Sequence, residues 1–201
     1  MGEENVAGRL VNPGQVFVLS GPSGVGMNTI AGELCSRGCA VRAVTATTRP
    51  PKEGEVNGRD YHFVSESQFR QWIAMERLID YTDYVGNYYG TPLASVNQAA
   101  ASGLPVLLTI DMDGGVQVKE RWRQVTLIFV RAPSEEELRR RLQQRGRNGA
   151  ATIEKRLHRA REERAYVERY DFRVVNDRLQ DAVEQVAHII SAKQNEPDDG
   201  C

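Results

Sequence analysis

The sequence predicts an α/β fold with a parallel sheet core and flanking helices. A short apolar run, Gln15 to Ser20, ends in a glycine-rich turn and is followed at once by a segment with helical spacing. Strand, glycine turn and helix in that order open a parallel α/β unit. The same rhythm returns in the second half, where the apolar runs Pro105 to Ile110 and Val125 to Val130 alternate with amphipathic segments. Between the halves lies a stretch of different texture, rich in glycine, proline and tyrosine.

Gln15 to Ser20 (QVFVLS) is apolar and partly β-branched, as a strand buried on both faces requires. Met27 to Ser36 places Ile30 and Leu34 on one helical face. A second strand is expected near Val41 to Ala46. From Thr47 to about Tyr89 short alternating pieces, Asp60 to Val64 and Asp80 to Val85, read as small strands with one helix around Glu66 to Met75. That stretch has the composition of an insertion with its own small sheet.

Helices are then expected at Thr91 to Ser102 and Gly115 to Trp122, flanking the strand Pro105 to Ile110. After the strand Val125 to Val130, Ser134 followed by Glu135, Glu136 and Glu137 is an N-cap with acidic residues in the first turn. That helix is expected to run to about Arg145. A small flexible stretch, Gly146 to Ala151, separates it from a helix at Thr152 to Glu168. Phe172 to Val175 is the last strand and Leu179 to Ala192 the last helix, ahead of a polar tail from Lys193 expected to be disordered.

A chain of 201 residues suits one such domain. Its formal net charge of -1 gives no case for non-specific attachment to nucleic acid or anionic membrane. No apolar run reaches the roughly 18 residues of a membrane span, and the first residues lack the layout of a signal peptide. Three cysteines, Cys35, Cys39 and Cys201, form no disulfide framework, and the C-x-x-x-C pair is poor evidence for zinc without further ligands. The expected location is the cytoplasm.

Gly21-Pro-Ser23-Gly24-Val-Gly26 carries the chemistry. Its glycines let backbone N–H groups turn inward around phosphate oxygens, and the following helix start adds a favourable dipole. The spacing matches G-x-x-x-x-G-K-[ST] in the strand-then-helix context that the motif requires. Met27 stands where the lysine belongs and Asn28 where a serine or threonine helps to hold magnesium. Methionine brings no charge to the β- and γ-phosphates, and one lost transition-state donor costs on the order of 10² to 10³ in rate. Asn28 through its side-chain oxygen, or Thr29 through its hydroxyl, could still reach a metal. On this motif alone, a merely glycine-rich turn stays an alternative.

The stretch from Thr45 through Arg49, Lys52, Glu55 and Asp60 to Ser65 resembles the GMP-binding signature of guanylate kinases. Gly86-Asn-Tyr-Tyr89-Gly-Thr91, Ile110-Asp111, Pro133-Ser134, Arg145-Gly146 and Val175-Asn176-Asp177 follow in that family's order, over about Gly14 to Ile190. The resemblance implies a P-loop nucleoside monophosphate kinase fold over residues 14–193. Its core would comprise 14–46 and 91–193, with a GMP-binding insertion at 47–90, a lid at about 145–155, and a tail at 194–201. It implies that Arg49, Tyr61 and Tyr89 bind the GMP phosphate. Lys52 stands where arginine is usual, and a point charge grips phosphate less firmly than a planar fork.

Thr45, Asp80 and Thr91 match the guanine-reading positions. A hydroxyl to the base carbonyl and a carboxylate to the ring N–H and amino group would read guanine and reject adenine. Arg141, Arg145 and Arg156 match the arginines that close over the triphosphate, and Asn176 matches a residue near the adenine of ATP. Asp111 matches a magnesium-associated carboxylate, while Thr109 takes a place where the family commonly has an acidic residue.

Read without the resemblance, Asp111 and Asn176 are turn residues at strand ends, and the arginines a solvated helix face. The resemblance implies ATP and Mg2+ as cofactors and GMP and ATP as small-molecule substrates, with a monomer or homodimer, and transfer of a phosphoryl group from ATP to GMP. The other reading is a guanylate-kinase-like domain that kept the fold, lost catalysis, and binds nucleotide or a protein partner.

Overall fold

The computed structural model describes residues 10, 12–84, 86–144 and 150–195. Its core is a five-stranded sheet in which β1 (Val16–Ser20) lies between β7 (Val106–Thr109) and β8 (Thr126–Arg131). β2 (Val41–Arg42) pairs outside β7 and β9 (Phe172–Val175) outside β8, and all four pairings are parallel. Alternation along β1 explains why every residue of this strand is apolar or small. Phe17 and Leu19 join the core on one face with Ile30, Leu34, Leu142 and Leu157, while Val16 and Val18 join the other with Leu93, Val96 and Val116.

Among the described residues seven helices cover the sheets: α1 (Met27–Ser36), α2 (Glu66–Ala74), α3 (Leu93–Ala100), α4 (Met112–Arg121), α5 (Glu135–Gln144), α6 (Ala150–Glu162) and α7 (Leu179–Gln194). α1, α5, α6 and α7 line the first face, and α3 and α4 the second. Ser134 accepts from the Glu137 N–H at 3.2 Å, the cap expected for α5. None of the described helices is long and apolar enough to cross a membrane.

A second, four-stranded sheet has the order β4 (His62–Phe63), β3 (Ala46–Thr47), β6 (Asn87–Pro92), β5 (Leu78–Tyr84). β5 and β3 run antiparallel to β6, while β4 is parallel to β3. Its small core is Ala46, Phe69 and Leu78, with Tyr88 stacked on Phe69 at 5.3 Å and Trp72 alongside.

Several expectations change, among them the start of α4, which is Met112 rather than Gly115 because Asp111 caps the helix. The single strand near Val41 to Ala46 is two strands: Val41 and Arg42 pair with β7 in the first sheet, and Ala46 and Thr47 pair with β4 and β6 in the second. A β-branched run looks the same whether or not its strand changes partners. β6 was hidden under an expected helix start at Thr91. Pro92 is extended, with φ -62 and ψ 133, and stands as the N-cap, so α3 begins at Leu93.

The expected helix to Glu168 ends at Glu162 and tightens into a 3-10 segment, Glu163–Arg169. That segment brings Tyr166 and Val167 onto the core ahead of buried Tyr170, whose ring meets Phe129 edge-on at 5.5 Å. Finally, α7 continues past Ala192 to Gln194.

Candidate functional site

The carboxyl ends of the core strands gather one group of the expected side chains, and the strand order reverses beside β1, where open α/β sheets bind ligands. β1 ends at Ser20 and the chain turns through Gly21 to Gly26 into α1. Gly21 has no room for a side chain, because a Cβ there would run into the Val130 carbonyl. Gly26 sits at φ 95 as the N-cap of α1, with no side-chain cap on the helix start. Asn176, buried after β9, donates through Nδ2 to the Val25 carbonyl at 2.7 Å and so braces the loop from beneath.

Ser23 in the same loop accepts from Arg156 Nη1 at 3.1 Å, which ties α6 to the loop across the sequence. Arg141 on α5 is half-buried and donates to Glu137 at 2.7 Å and to the Asp177 carbonyl at 3.3 Å. Hydrogen bonds from Arg140 and then Arg141 hold the Glu137 carboxyl down at about 2. Arg145 lies outside the described residues, as does the segment 145–149 of the expected lid.

Met27, the first residue of α1, is half-buried and packs on the core, so its side chain serves as a hydrophobic anchor. Asn28 and Thr29 are exposed on the first turn. Asn28 Oδ1 accepts from Thr109 Oγ1 at 2.9 Å and from Arg42 Nη2 at 3.4 Å, and Arg42 Nη2 also donates to Thr109 Oγ1 at 3.1 Å. Asp111, just past β7, caps α4 by accepting the Gly114 N–H on Oδ1 at 2.8 Å.

The second sheet holds the remaining expected residues. Asp80 and Thr91 are cross-strand partners on β5 and β6, and Thr91 hydrogen-bonds the Asp80 carboxylate. Asp80 Oδ1 is buried with no protein partner. Burial, with the nearby Asp111 charge adding to it, lifts the Asp80 carboxyl to about 6 against the stabilising hydrogen bonds of Thr91. Thr45 is half-buried beside β3, where its carbonyl accepts from His62.

Arg49 forms a two-pronged pair with Glu55, both contacts at 2.9 Å, and also hydrogen-bonds Tyr89. Its guanidinium lies 5.4 Å from the Tyr61 ring centre, and the Tyr61 and Tyr89 rings meet edge-on at 6.3 Å. The Arg49 hydrogen bonds, then the Lys52 N–H, hold the Glu55 carboxyl down at about 2. The Lys52 N–H donates to Glu55 Oε2 at 2.6 Å, and Lys52 itself is exposed.

The structure therefore brings together two groups of expected residues. Arg49, Tyr61 and Tyr89 form one cluster, and the loop, Arg156 and Asn176 form another, with Arg141 bonded to the Asp177 carbonyl next to Asn176. Asp80 and Thr91 lie on the small sheet at the side facing Asp111. Two residues had no assigned role in the sequence reading. Glu55 lies inside the recognised stretch, where an acid among Arg49 and Lys52 is a readable signal. Arg42 carries no motif, and its position depends on Thr109, 67 residues away.

Among the described residues, no group of three or more His, Cys, Asp or Glu could hold a metal, and Cys35 and Cys39 are free thiols.

Residues 14–193 match the family model described as guanylate kinase. A guanylate kinase from Gloeobacter violaceus is 50% identical over 178 residues, covering 88% of this chain and 86% of the relative. One from Latilactobacillus sakei is 43% identical over 184 residues, covering 90% and 91%. The crystal structure of guanylate kinase from Anaplasma phagocytophilum superposes with a TM-score of 0.69 at 32% identity, over 90% of this chain and 86% of that one. With most of its length matched at such identities, the chain belongs to the guanylate kinase family.

Proposed function

We propose that this protein transfers the γ-phosphoryl group of ATP to GMP, giving ADP and GDP. The observation that carries this reading is the buried, unpartnered Oδ1 of Asp80 beside Thr91. A buried carboxylate oxygen without a donor is costly, and a guanine base supplies the N–H groups it lacks. Adenine offers an acceptor at the ring nitrogen instead, which such a carboxylate repels. Thr91 and Thr45 would add hydroxyls for the base, while Arg49, Tyr61, Tyr89 and Lys52 would take the GMP phosphate.

The triphosphate of ATP would lie on the loop from Gly21 to Thr29, with Arg156 reaching it beside Ser23 and Arg141 and Arg145 closing over it. Asn176 would support the adenine side through its hold on the loop. A GMP phosphate oxygen bonds to the γ-phosphorus as the bond to the β–γ bridging oxygen breaks, and ADP leaves with that electron pair. Such transfer asks the protein for positioning and charge more than covalent chemistry.

ATP brings Mg2+ on its own phosphates in reactions of this kind. Asn28 Oδ1 is occupied, because it accepts from Thr109 and from the Arg42 cation, and Asp111 Oδ1 caps α4, so Asp111 would face such an ion through its other carboxylate oxygen.

The test is formation of ADP and GDP from ATP, GMP and magnesium by the whole chain, with AMP, CMP and UMP as alternative acceptors. Turnover with GMP alone supports the assignment. Tight GMP binding without GDP formation would overturn it in favour of a nucleotide-binding module, the reading that the uncharged Met27 favours.

A further inference from the structure

We infer that Arg42 supplies the cation that the phosphate loop lacks at Met27, donating to the β- and γ-phosphates of the bound nucleoside triphosphate. The inference rests on the kinase reading above and names a residue for that site. Arg42 is the last residue of β2 and points its guanidinium across the end of β7 to the first turn of α1. Nη2 donates to Thr109 Oγ1 at 3.1 Å and to Asn28 Oδ1 at 3.4 Å, and Thr109 Oγ1 closes the triangle on Asn28 at 2.9 Å. Asn28 occupies the motif position whose side chain ordinarily faces the metal and phosphates, so the guanidinium stands at that edge of the loop.

Charge makes the arrangement specific. Both anchors are neutral oxygens, and among the described residues no carboxylate pairs with Arg42. Three other arginines near the site are partly neutralised, Arg49 by Glu55, Arg141 by Glu137 and Arg161 by Glu135, while Arg156 is held by the neutral Ser23 hydroxyl and leaves the Asn28 edge to Arg42. Arg42 keeps its full charge, and its Nη1 and Nε have no acceptor among the described residues. A planar fork fixed at one nitrogen and free at the others is suited to phosphate oxygens.

Placement across Thr109 also accounts for the neutral residue there, since a carboxylate at that position would pair with Arg42 and cancel it. As the γ-phosphoryl moves to GMP, negative charge accumulates on the β-phosphate of ADP, which keeps the electron pair of the broken bond. The Arg42 N–H groups would bind that charge, as the motif lysine does where it is present.

The experiment compares the full chain with Arg42→Gln and with Arg42→Gln/Met27→Lys. Steady-state rates are measured with ATP, GMP and magnesium, and calorimetric titrations with ATP, ADP and AMP. We expect Arg42→Gln to lower kcat/KM for ATP by about 10²-fold with KM for GMP within about twofold. Binding of ATP and ADP should weaken by at least about tenfold while AMP, which lacks the β-phosphate, is unaffected. Met27→Lys in that background should restore at least about tenfold of the rate.

A loss below about threefold, equal weakening toward AMP, or failure of the lysine to restore the rate would each overturn the inference. A parent chain without turnover would sink the kinase reading alone. The ATP, ADP and AMP titrations would still decide whether Arg42 grips the β-phosphate.

Discussion

Asn176 holds Val25 by a 2.7 Å hydrogen bond from its side-chain amide to the loop carbonyl, and the same amide fills the space that a Cβ on Gly26 would need. The end of β9 thus sets the shape of the phosphate loop. The Asn176 backbone is tied separately to β8 through the Arg131 carbonyl at 2.8 Å, so a side-chain substitution leaves the strand in place. Asn176→Ala should leave the buried Val25 carbonyl unpaired and destabilise the chain by about 1–3 kcal/mol. Urea unfolding checks the stability, and a raised KM for ATP with an unchanged KM for GMP checks that the damage is confined to the loop.

Gly26 supplies the complementary prediction. At φ 95 a side chain is strained, and its Cβ would stand 2.6 Å from Asn176 Nδ2. Gly26→Ala should therefore cost more than the 1–2 kcal/mol of the left-handed conformation alone. Adding Asn176→Ala should recover part of that loss by removing the clash. A double-mutant cycle in urea measures the coupling, and strict additivity of the two losses would contradict the contact.

Asp80 predicts a pH dependence. Its folded carboxyl sits near 6, above the ordinary 3.8, so the folded state holds the proton more tightly than the unfolded chain. That stability contribution is complete below about 3.8 and is lost as pH rises through about 6. The displacement corresponds to roughly 3 kcal/mol of strain stored at neutral pH. Asp80→Asn should raise the melting temperature at pH 7 to 8 and have little effect at pH 4.

Base binding should show the opposite trend, because only the ionised carboxylate accepts two N–H groups. Guanosine is the cleaner probe, since the GMP phosphate itself titrates near 6. Its affinity for the parent chain should rise between pH 5 and 7. In Asp80→Asn it should be flat with pH and weaker by about 10²-fold.

These side chains differ in how far the sequence discloses them. The loop, β1 and α1 are local: apolar residues, then closely spaced glycines, then Ile30 and Leu34 on one face, each within a few positions of the next. Asp80 and Thr91 were legible through the recognised pattern, but the raised carboxyl was not, because burial depends on α4 and the strand pairing around them. β6 escaped because Thr91 and Pro92 read as a helix entrance, and strand pairing with β5 and β3 prevailed. The split of the Val41 to Ala46 run, and with it the position of Arg42, depends on partners in two different sheets. Nothing in the local spacing encodes that division.

Arg49 tests the proposal that its cluster on the second sheet takes the GMP phosphate. Glu55 holds the guanidinium in a fixed plane beside Tyr61 and Tyr89, and stays ionised far below neutral pH. Arg49→Lys should therefore fail almost as badly as Arg49→Ala, because an ammonium cannot reproduce the two-pronged pair with Glu55 and reach a phosphate as well. Both should raise KM for GMP by about 10- to 100-fold, in line with a charge-assisted hydrogen bond of about 1.5–3 kcal/mol. ATP affinity should be unchanged, and guanosine binding nearly so, which separates phosphate recognition from base recognition.

Arg156 and Arg141 offer a comparison between two cations assigned to the triphosphate in the proposed reaction. Arg156 is held by the Ser23 hydroxyl, a neutral group, whereas Arg141 is engaged with the Glu137 carboxylate and the Asp177 carbonyl. Releasing Arg141 toward a triphosphate means giving up an ion pair, while Arg156 exchanges only a hydroxyl contact. Arg156→Gln should therefore lower kcat by about 10²-fold or more, and Arg141→Gln by a smaller factor. Ser23→Ala should leave kcat within about threefold, since it removes the resting partner of Arg156 and none of its charge. Pre-steady-state measurement of the first turnover keeps product release out of the comparison, and an Arg141→Gln loss exceeding that of Arg156→Gln would reverse the assigned order.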